Sequence, residues 1–254
     1  FLNLTNDHLD WHGSMNNYFH SKLKIFSLQN RSHYALANRK FKKIFKKKKF
    51  LGKFIEPEYK NFKKIKNKIN NSYLTSEIND ENMSFIYTFA KLLKINKNTF
   101  IKTMESFKGL SHRFEIFFKR KNVIFINDSK ATSFSATHPA LLSLKNIYWI
   151  LGGQPKKNDK IKLSKCKKNI IKCYLIGKSI NFFKNQIEKK IVFSITKNLK
   201  NSIVQALKDV KLKNKKRNYI LLSPAAASFD QFSNFEKRGE TFKKLCKAYG
   251  RKLI

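Results

Sequence analysis

The run Asn127-Asp128-Ser129-Lys130-Ala131-Thr132 gathers an acid, a lysine and two hydroxyls within six residues. Together they supply an acceptor, a fixed cation and small donors, enough to meet a phosphate, a ribose or a carboxylate. The β-favouring stretch Val123-Ile124-Phe125-Ile126 precedes the run, and residues 133 to 144 read as a helix. The polar residues therefore belong where a strand ends, which is where open α/β sheets bind ligands. A polar turn carrying a helix N-cap has the same composition, so the run alone leaves both readings open.

A second cluster, Asn6-Asp7-His8-Leu9-Asp10-Trp11-His12, sets two acids and two imidazoles side by side. His8 and His12 stand at i, i+4, which puts two ligands on one helix face, but Leu9 occupies the place of the glutamate that a zinc protease motif requires. Zinc is disfavoured and His12 reads as structural, whereas an oxygen ligand such as Asp7 suits magnesium. From Ser14 the chain turns helical: Met15, Tyr18, Phe19, Leu23 and Phe26 draw one apolar stripe, and Lys22 falls inside it. A lysine there either snorkels to water or loses its proton to desolvation and offers a free amine for chemistry.

These residues need elements to hold them. At 254 residues and 41% hydrophobic content the chain can fill one large or two ordinary cores. The spacing predicts a helix opening at Asn79-Asp80-Glu81-Asn82, with Asp80 as cap and Met83, Ile86, Ala90 and Leu93 on its buried side. It predicts a further helix capped at Asn98-Thr99 and closed by Gly109. Asn79 and Asn82 serve either as caps or as amides that read a base edge. Beyond Gly109, Phe114–Phe118 and Val123–Ile126 form a hairpin-like pair. Strand and helix patterns then take turns, with strands ending at Gly152-Gly153, at Gly177 and at Ser223, and a last helix over 231–249. That alternation argues for a mostly parallel sheet flanked by helices, with a cleft along one edge where glycines and alanines let a ligand approach the backbone.

Lys and Arg number 55 against 16 Asp and Glu, a formal charge of +39. The lysines are spread along the chain among Asn, Ile and Phe, so a duplex-binding face is not indicated. Residues 39–71 are the densest basic stretch, with Lys46 to Lys49 at its centre and Phe41, Phe45, Phe50 and Phe54 interleaved. It reads as a solvated hairpin or loop whose aromatics face the protein, although such interleaving also suits single-stranded nucleic acid. Cys166, Cys173 and Cys246 lack any Cys-x-x-Cys spacing, which fits a reduced cytoplasm. No apolar run approaches the roughly 20 residues that span a bilayer. The chain begins at Phe1, and Leu2-Asn3-Leu4-Thr5 reads like the end of a strand already under way, as expected of the back part of a longer protein.

Four stretches resemble one family. Asn6–Asp10 with Lys22, Gly109–Glu115, Asn127–Thr132, and Leu222–Phe232 running on to Phe235 look like the Mur ligases, in the right order and over nearly the whole chain. The last three resemble the member that adds D-glutamate. The resemblance implies an α/β enzyme in which residues 1–109 are the rear of the central ATPase domain and 110–254 a Rossmann-like C-terminal domain that closes over the site. It implies a monomeric, cytoplasmic enzyme of peptidoglycan synthesis, with ATP and Mg2+ as cofactors and UDP-N-acetylmuramoyl-L-alanine and D-glutamate as substrates. No nucleic acid and no membrane span enter. Carried over by position, Lys22 matches the lysine whose carbamate holds magnesium, and His8, with Asp7 beside it, matches a residue next to the metal and the acyl group. Asn79 and Asn82 match adenine contacts. Arg113, Asp128 and Lys130 match nucleotide contacts, and Thr132, Lys156, Ser228 and Phe235 match the pocket for glutamate.

Two small departures occur: Ser133 stands where that member usually has asparagine, and Ala226 where it often has cysteine. A larger one lies at the front, where no Gly-x-x-Gly-Lys-Ser/Thr loop is present to cradle phosphates. The chain alone is therefore expected to lack ligase activity. Two alternatives are another amide ligase of the same family and a basic nucleic-acid-binding protein built on residues 39–71.

Overall fold

The computed structural model describes residues 1–4, 9–71, 73–157, 159–213 and 215–254, which fall into two compact units, Phe1–Lys108 and Gly109–Ile254.

The first unit opens with α1 (Leu9–His12) and α2 (Met15–Ser27), the latter capped by the Ser14 hydroxyl, which accepts from Asn17 N. Strands β1 (Tyr34–Leu36) and β2 (Lys53–Ile55) pair in parallel. Parallel strands need a crossover, and a turn of 3-10 helix (Arg39–Phe41) followed by α3 (Lys42–Lys47) supplies it. The dense basic stretch is therefore helix, strand and the further helix α4 (Tyr59–Lys66), not a hairpin. Its aromatics do turn inward: Phe41 and Phe45 are buried with Leu23, Phe26 and Ala35.

Helices α5 (Asp80–Leu92) and α6 (Lys97–Ser106) complete the unit around Phe62, Met83 and Phe100. Three expectations need correction here. Ile86 and Leu93 are exposed, and the inner face of α5 instead includes Ser84 and Thr88, whose hydroxyls donate to carbonyls one turn back, Asp80 O and Ser84 O, both at 2.7 Å. Asp80 does not cap: it ion-pairs with Lys66. The cap of α6 is Asn96, which accepts from Thr99 N, and the helix ends at Ser106, ahead of Gly109.

The second unit is a six-stranded sheet of order β3-β4-β8-β5-β6-β7. The antiparallel pair β3 (Glu115–Arg120) and β4 (Val123–Asn127) leads into α7 (Phe134–Ser143), β5 (Ile147–Gly152) and β6 (Ile170–Ile176). Then follow α8 (Ile180–Ile187), β7 (Phe193–Lys197), α9 (Leu199–Lys213), β8 (Asn218–Leu222) and α10 (Phe235–Leu253). All pairings except β3 with β4 are parallel.

Alternation along β5 sends Trp149 and Leu151 to a core with Phe134 and Phe183, and Tyr148 and Ile150 to a core with Ile203 and Phe242. Helices α7 and α8 thus cover one face, α9 and α10 the other. Neighbouring strands β4 and β8 send the helices that follow them to opposite faces, and their loops part at the carboxyl ends, where a crevice forms in such sheets.

Candidate functional site

The loops leaving β4, β5 and β8 share one edge of the second unit, and a single side chain ties two of them together. Arg238, 1% exposed on the first turn of α10, donates from Nε to Ser129 Oγ at 2.9 Å, and from Nη2 to Ser129 O at 2.8 Å and Ala226 O at 2.9 Å. Ser129 Oγ in turn donates a hydrogen bond to Phe235 O at 2.8 Å, fixing the start of the helix. Burial lowers the Arg238 pKa to about 10, with Asp230 pulling the other way. The third loop joins through a two-way backbone pair, Gln154 with Ala227, each N–H to O distance 2.9 Å.

On this frame Lys130 holds its ammonium 3.8 Å from the centre of the Phe235 ring. Ser228 is buried next to the Gln154–Ala227 pair, Lys156 is half-buried two residues beyond Gln154, and Thr132 is half-buried two residues beyond Lys130. Cations, hydroxyls and one aromatic face therefore come to the same sheet edge. That chemistry suits a small molecule with more than one carboxylate or phosphate.

Asp128 behaves differently. Its Oδ1 accepts from Phe114 N at 3.0 Å and its Oδ2 from Ser223 Oγ at 2.7 Å. Burial is the largest influence and raises its pKa to about 6, against the hydrogen bonds and the neighbouring Arg113. The carboxyl is an internal brace between β4 and β8, while Arg113 is exposed.

Beneath Phe235 lies a second network. His112, buried in a left-handed conformation, has Nδ1 2.9 Å from Asn127 Nδ2, and its backbone N–H donates to Glu115 Oε2 at 3.0 Å. Burial works against the Glu115 carboxylate, but the His112 N–H, Lys243 and Asn127 outweigh it and hold its pKa below the usual range.

The strand-end glycines do other work than leaving room for a ligand. A Cβ on Gly152 would lie 2.0 Å from Ile176 O, on Gly153 2.3 Å from Ala227 O, and on Gly177 2.3 Å from Asp230 Oδ2. The end of β6 and neighbouring loops, not empty space, fill those positions.

In the first unit Lys22 is half-buried, with Nζ 3.1 Å from Asn3 O and 4.8 Å from the centre of the Tyr18 ring. His12 stacks on the same Tyr18. Asn79 spends its amide on Tyr73 O at 2.7 Å and Ser76 Oγ at 3.3 Å, whereas Asn82 is exposed. Asp7 and His8 lie outside the described residues. Among the described residues no group of three His, Cys, Asp or Glu side chains could hold a metal ion.

Residues 1–100 match the Mur ligase middle domain. Over 95% of its length the chain is 38% identical to the UDP-N-acetylmuramoylalanine--D-glutamate ligase of Wolbachia sp. subsp. Brugia malayi, of which it covers 51%. The chain belongs to the Mur ligase family. A ligase of the same name from Rickettsia prowazekii is 32% identical, with 98% of this chain and 60% of that one covered. The chain thus spans between about half and three fifths of the length of these two Mur ligases. The fold agrees: the MurF ligase from Thermotoga maritima, solved in complex with ADP, superposes with a TM-score of 0.60 at 14% identity, covering 97% of this chain and 61% of that one.

Sequence reasoning missed Arg238, and it placed Ser129 and Ser223 at strand ends without seeing that they brace the loops. For Arg238 a signal existed: with Phe235, Gly239, Phe242 and Cys246 it falls on the apolar stripe of α10, the same anomaly that singled out Lys22.

Proposed function

We propose that the chain is part of an ATP-dependent ligase that joins D-glutamate to UDP-N-acetylmuramoyl-L-alanine in peptidoglycan synthesis. The γ-phosphoryl group of ATP passes to the alanyl carboxylate, releasing ADP. The amine of D-glutamate then attacks the acyl carbon, expels inorganic phosphate and loses a proton. The observation that carries this reading is the identity of 38% and 32% to two ligases of that name, which extends over 95% and 98% of the chain.

On this reading the first unit is the rear of the ATP-binding domain and the second binds the incoming amino acid. Lys130, Lys156, Thr132 and Ser228 supply charge and hydroxyls to the two carboxylates of D-glutamate, and Phe235 fixes Lys130. Neutralising those carboxylates leaves the amine as the reactive end. Arg113 reaches the nucleotide, while Asp128 acts through the loop it braces. Asn79 and Asn82 belong to the adenine side; Asn79, already bonded to Tyr73 O, holds the loop and Asn82 presents the free amide face. Lys22, Asp7 and His8 belong to the acyl side, where magnesium would neutralise phosphate charge. The described residues do not by themselves make a metal site.

Without a phosphate-cradling loop in these residues, the isolated chain is expected to bind D-glutamate without turning over. Calorimetric titration of the chain with D-glutamate, L-glutamate, L-lysine and a diamino acid tests the substrate assignment. Selective heat with D-glutamate supports it, and equal binding of the others overturns it. A phosphate-release assay with all three substrates is expected to stay at background, and turnover at the rate of an intact ligase would refute the partial-chain reading.

A further inference from the structure

The opposite edge of the second unit, where the parallel strands begin, carries a feature that the ligase reading does not use. Every parallel strand there is preceded by exposed cations: Lys119 to Lys121 before β4, Lys145 before β5, Lys167 and Lys168 before β6, Lys189 and Lys190 before β7, and Lys215 to Arg217 before β8. Helices α9 and α10 end on the same edge with Lys211, Lys213, Arg251 and Lys252.

Two hollows open along it. One, of about 690 Å³, is ringed by Lys165, Lys167, Lys168 and Lys190 over a floor of Ile170, Ile171 and Ile191, with Val192 at its rim. The other, of about 580 Å³, is ringed by Lys121, Lys211, Arg251 and Lys252 over Val210, Leu253 and Ile254. Neither lining contains an acidic residue. Cations alone would suit any polyanion, but two aliphatic side chains stand out among them: Leu212, 82% exposed between Lys211 and Lys213, and Val192, 68% exposed beside Lys190. Aliphatic tips between lysines match a lipid headgroup layer, where the stem is wetted by apolar groups and the ammonium meets phosphate. No aromatic side chain lines either hollow, so the stacking platform of a single-stranded nucleic-acid site is lacking.

We propose that this strand-start edge docks on an anionic phospholipid bilayer, with lipid phosphates in the two hollows and Leu212 and Val192 in the headgroup layer. The contact is peripheral, since no helix among the described residues is long and apolar enough to cross a membrane. Five parallel strands set side by side give the contact a width of about 20 Å. Its strength falls with salt, because exposed charges are screened over about a nanometre at physiological ionic strength. The proposal is independent of the ligase reading.

Co-sedimentation of the whole chain with vesicles of phosphatidylglycerol and phosphatidylcholine, against phosphatidylcholine alone, tests it at physiological ionic strength. The wild-type chain is expected to bind only the anionic vesicles. Replacing Lys165, Lys167, Lys168 and Lys190 together by Gln is expected to weaken binding by a hundredfold or more, from about fivefold per cation. Replacing Lys46, Lys47, Lys48 and Lys49 by Gln removes the same charge from the other unit and is expected to change binding only a few-fold. Leu212→Ser with Val192→Ser, which leaves the charge intact, is expected to lower binding severalfold. Circular dichroism verifies that each variant is folded. Equal losses in the two lysine quadruples would reduce the effect to diffuse net charge and overturn the proposal. An unaffected Leu212→Ser/Val192→Ser variant, or a single-stranded RNA that binds more tightly than the vesicles and displaces them, would overturn the choice of lipid.

Discussion

Lys130 lays its ammonium 3.8 Å from the centre of the Phe235 ring, so the loop after β4 and the first residue of α10 hold one cation between them. A cation over an aromatic face gains about 0.5–2 kcal/mol, and the ring restricts where the lysine can point. Phe235→Leu keeps the bulk and loses the face. It is expected to weaken D-glutamate binding about tenfold by titration calorimetry while moving the urea midpoint little, since residue 235 is only half-buried. Unchanged affinity would remove Lys130 and Phe235 from the pocket.

Asp128 makes the second unit sensitive to pH in the direction opposite to most carboxylates. Its pKa in the folded chain is about 6 against an ordinary 3.8, so folding disfavours its charged form. Stability from this group is full below about pH 4, falls as pH rises through 6, and is lower above it by about 3 kcal/mol. Thermal melts of the wild-type chain between pH 4 and 7 should contain this decline, and Asp128→Asn should flatten it. A wild-type profile with no contribution that Asp128→Asn removes would contradict the burial argument.

Arg238→Met removes three hydrogen bonds and leaves Ser129 O and Ala226 O without their donor. Stranding buried acceptors is expected to cost about 2–4 kcal/mol in urea denaturation, partly recovered by Arg238→Lys. Loss smaller than a surface substitution would mean that the guanidinium does not tie the loops together.

Gly153 has φ +134 and its Cα faces Ala227 O. Gly153→Ala must strain the backbone or break the Gln154–Ala227 pair, and should cost about 2–3 kcal/mol. The heteronuclear spectrum of the variant is expected to change around residues 226–228 first.

Much of the second unit was legible because its strands are short runs of Val, Ile, Leu and aromatic residues closed by glycine or serine, and because Ser133 caps α7 as a small hydroxyl should. The edge strand β7 and helix α8 escaped notice: Phe193-Ser194-Ile195-Thr196-Lys197 alternates weakly, and of its side chains only that of Thr196 is buried at the sheet margin. The strands β1 and β2 are three residues each, below what alternation can signal. On α5 the regular spacing of Ile86 and Leu93 misled, because Ser84 and Thr88 satisfy their hydroxyls locally and can be buried in place of leucines. For the site, residue types identified the groups at the strand ends, but the bracing by Arg238, Ser129 and Ser223 depends on contacts up to 109 residues apart in sequence.

The position of β8 between β4 and β5 has a consequence for synthesis on the ribosome. The central strand is the last to be made, so until it emerges the two strands it separates have open backbone edges facing each other. A nascent or prematurely stopped chain ending before residue 218 would hold a split sheet prone to pairing with other chains, and the unit can close only once β8 has been made.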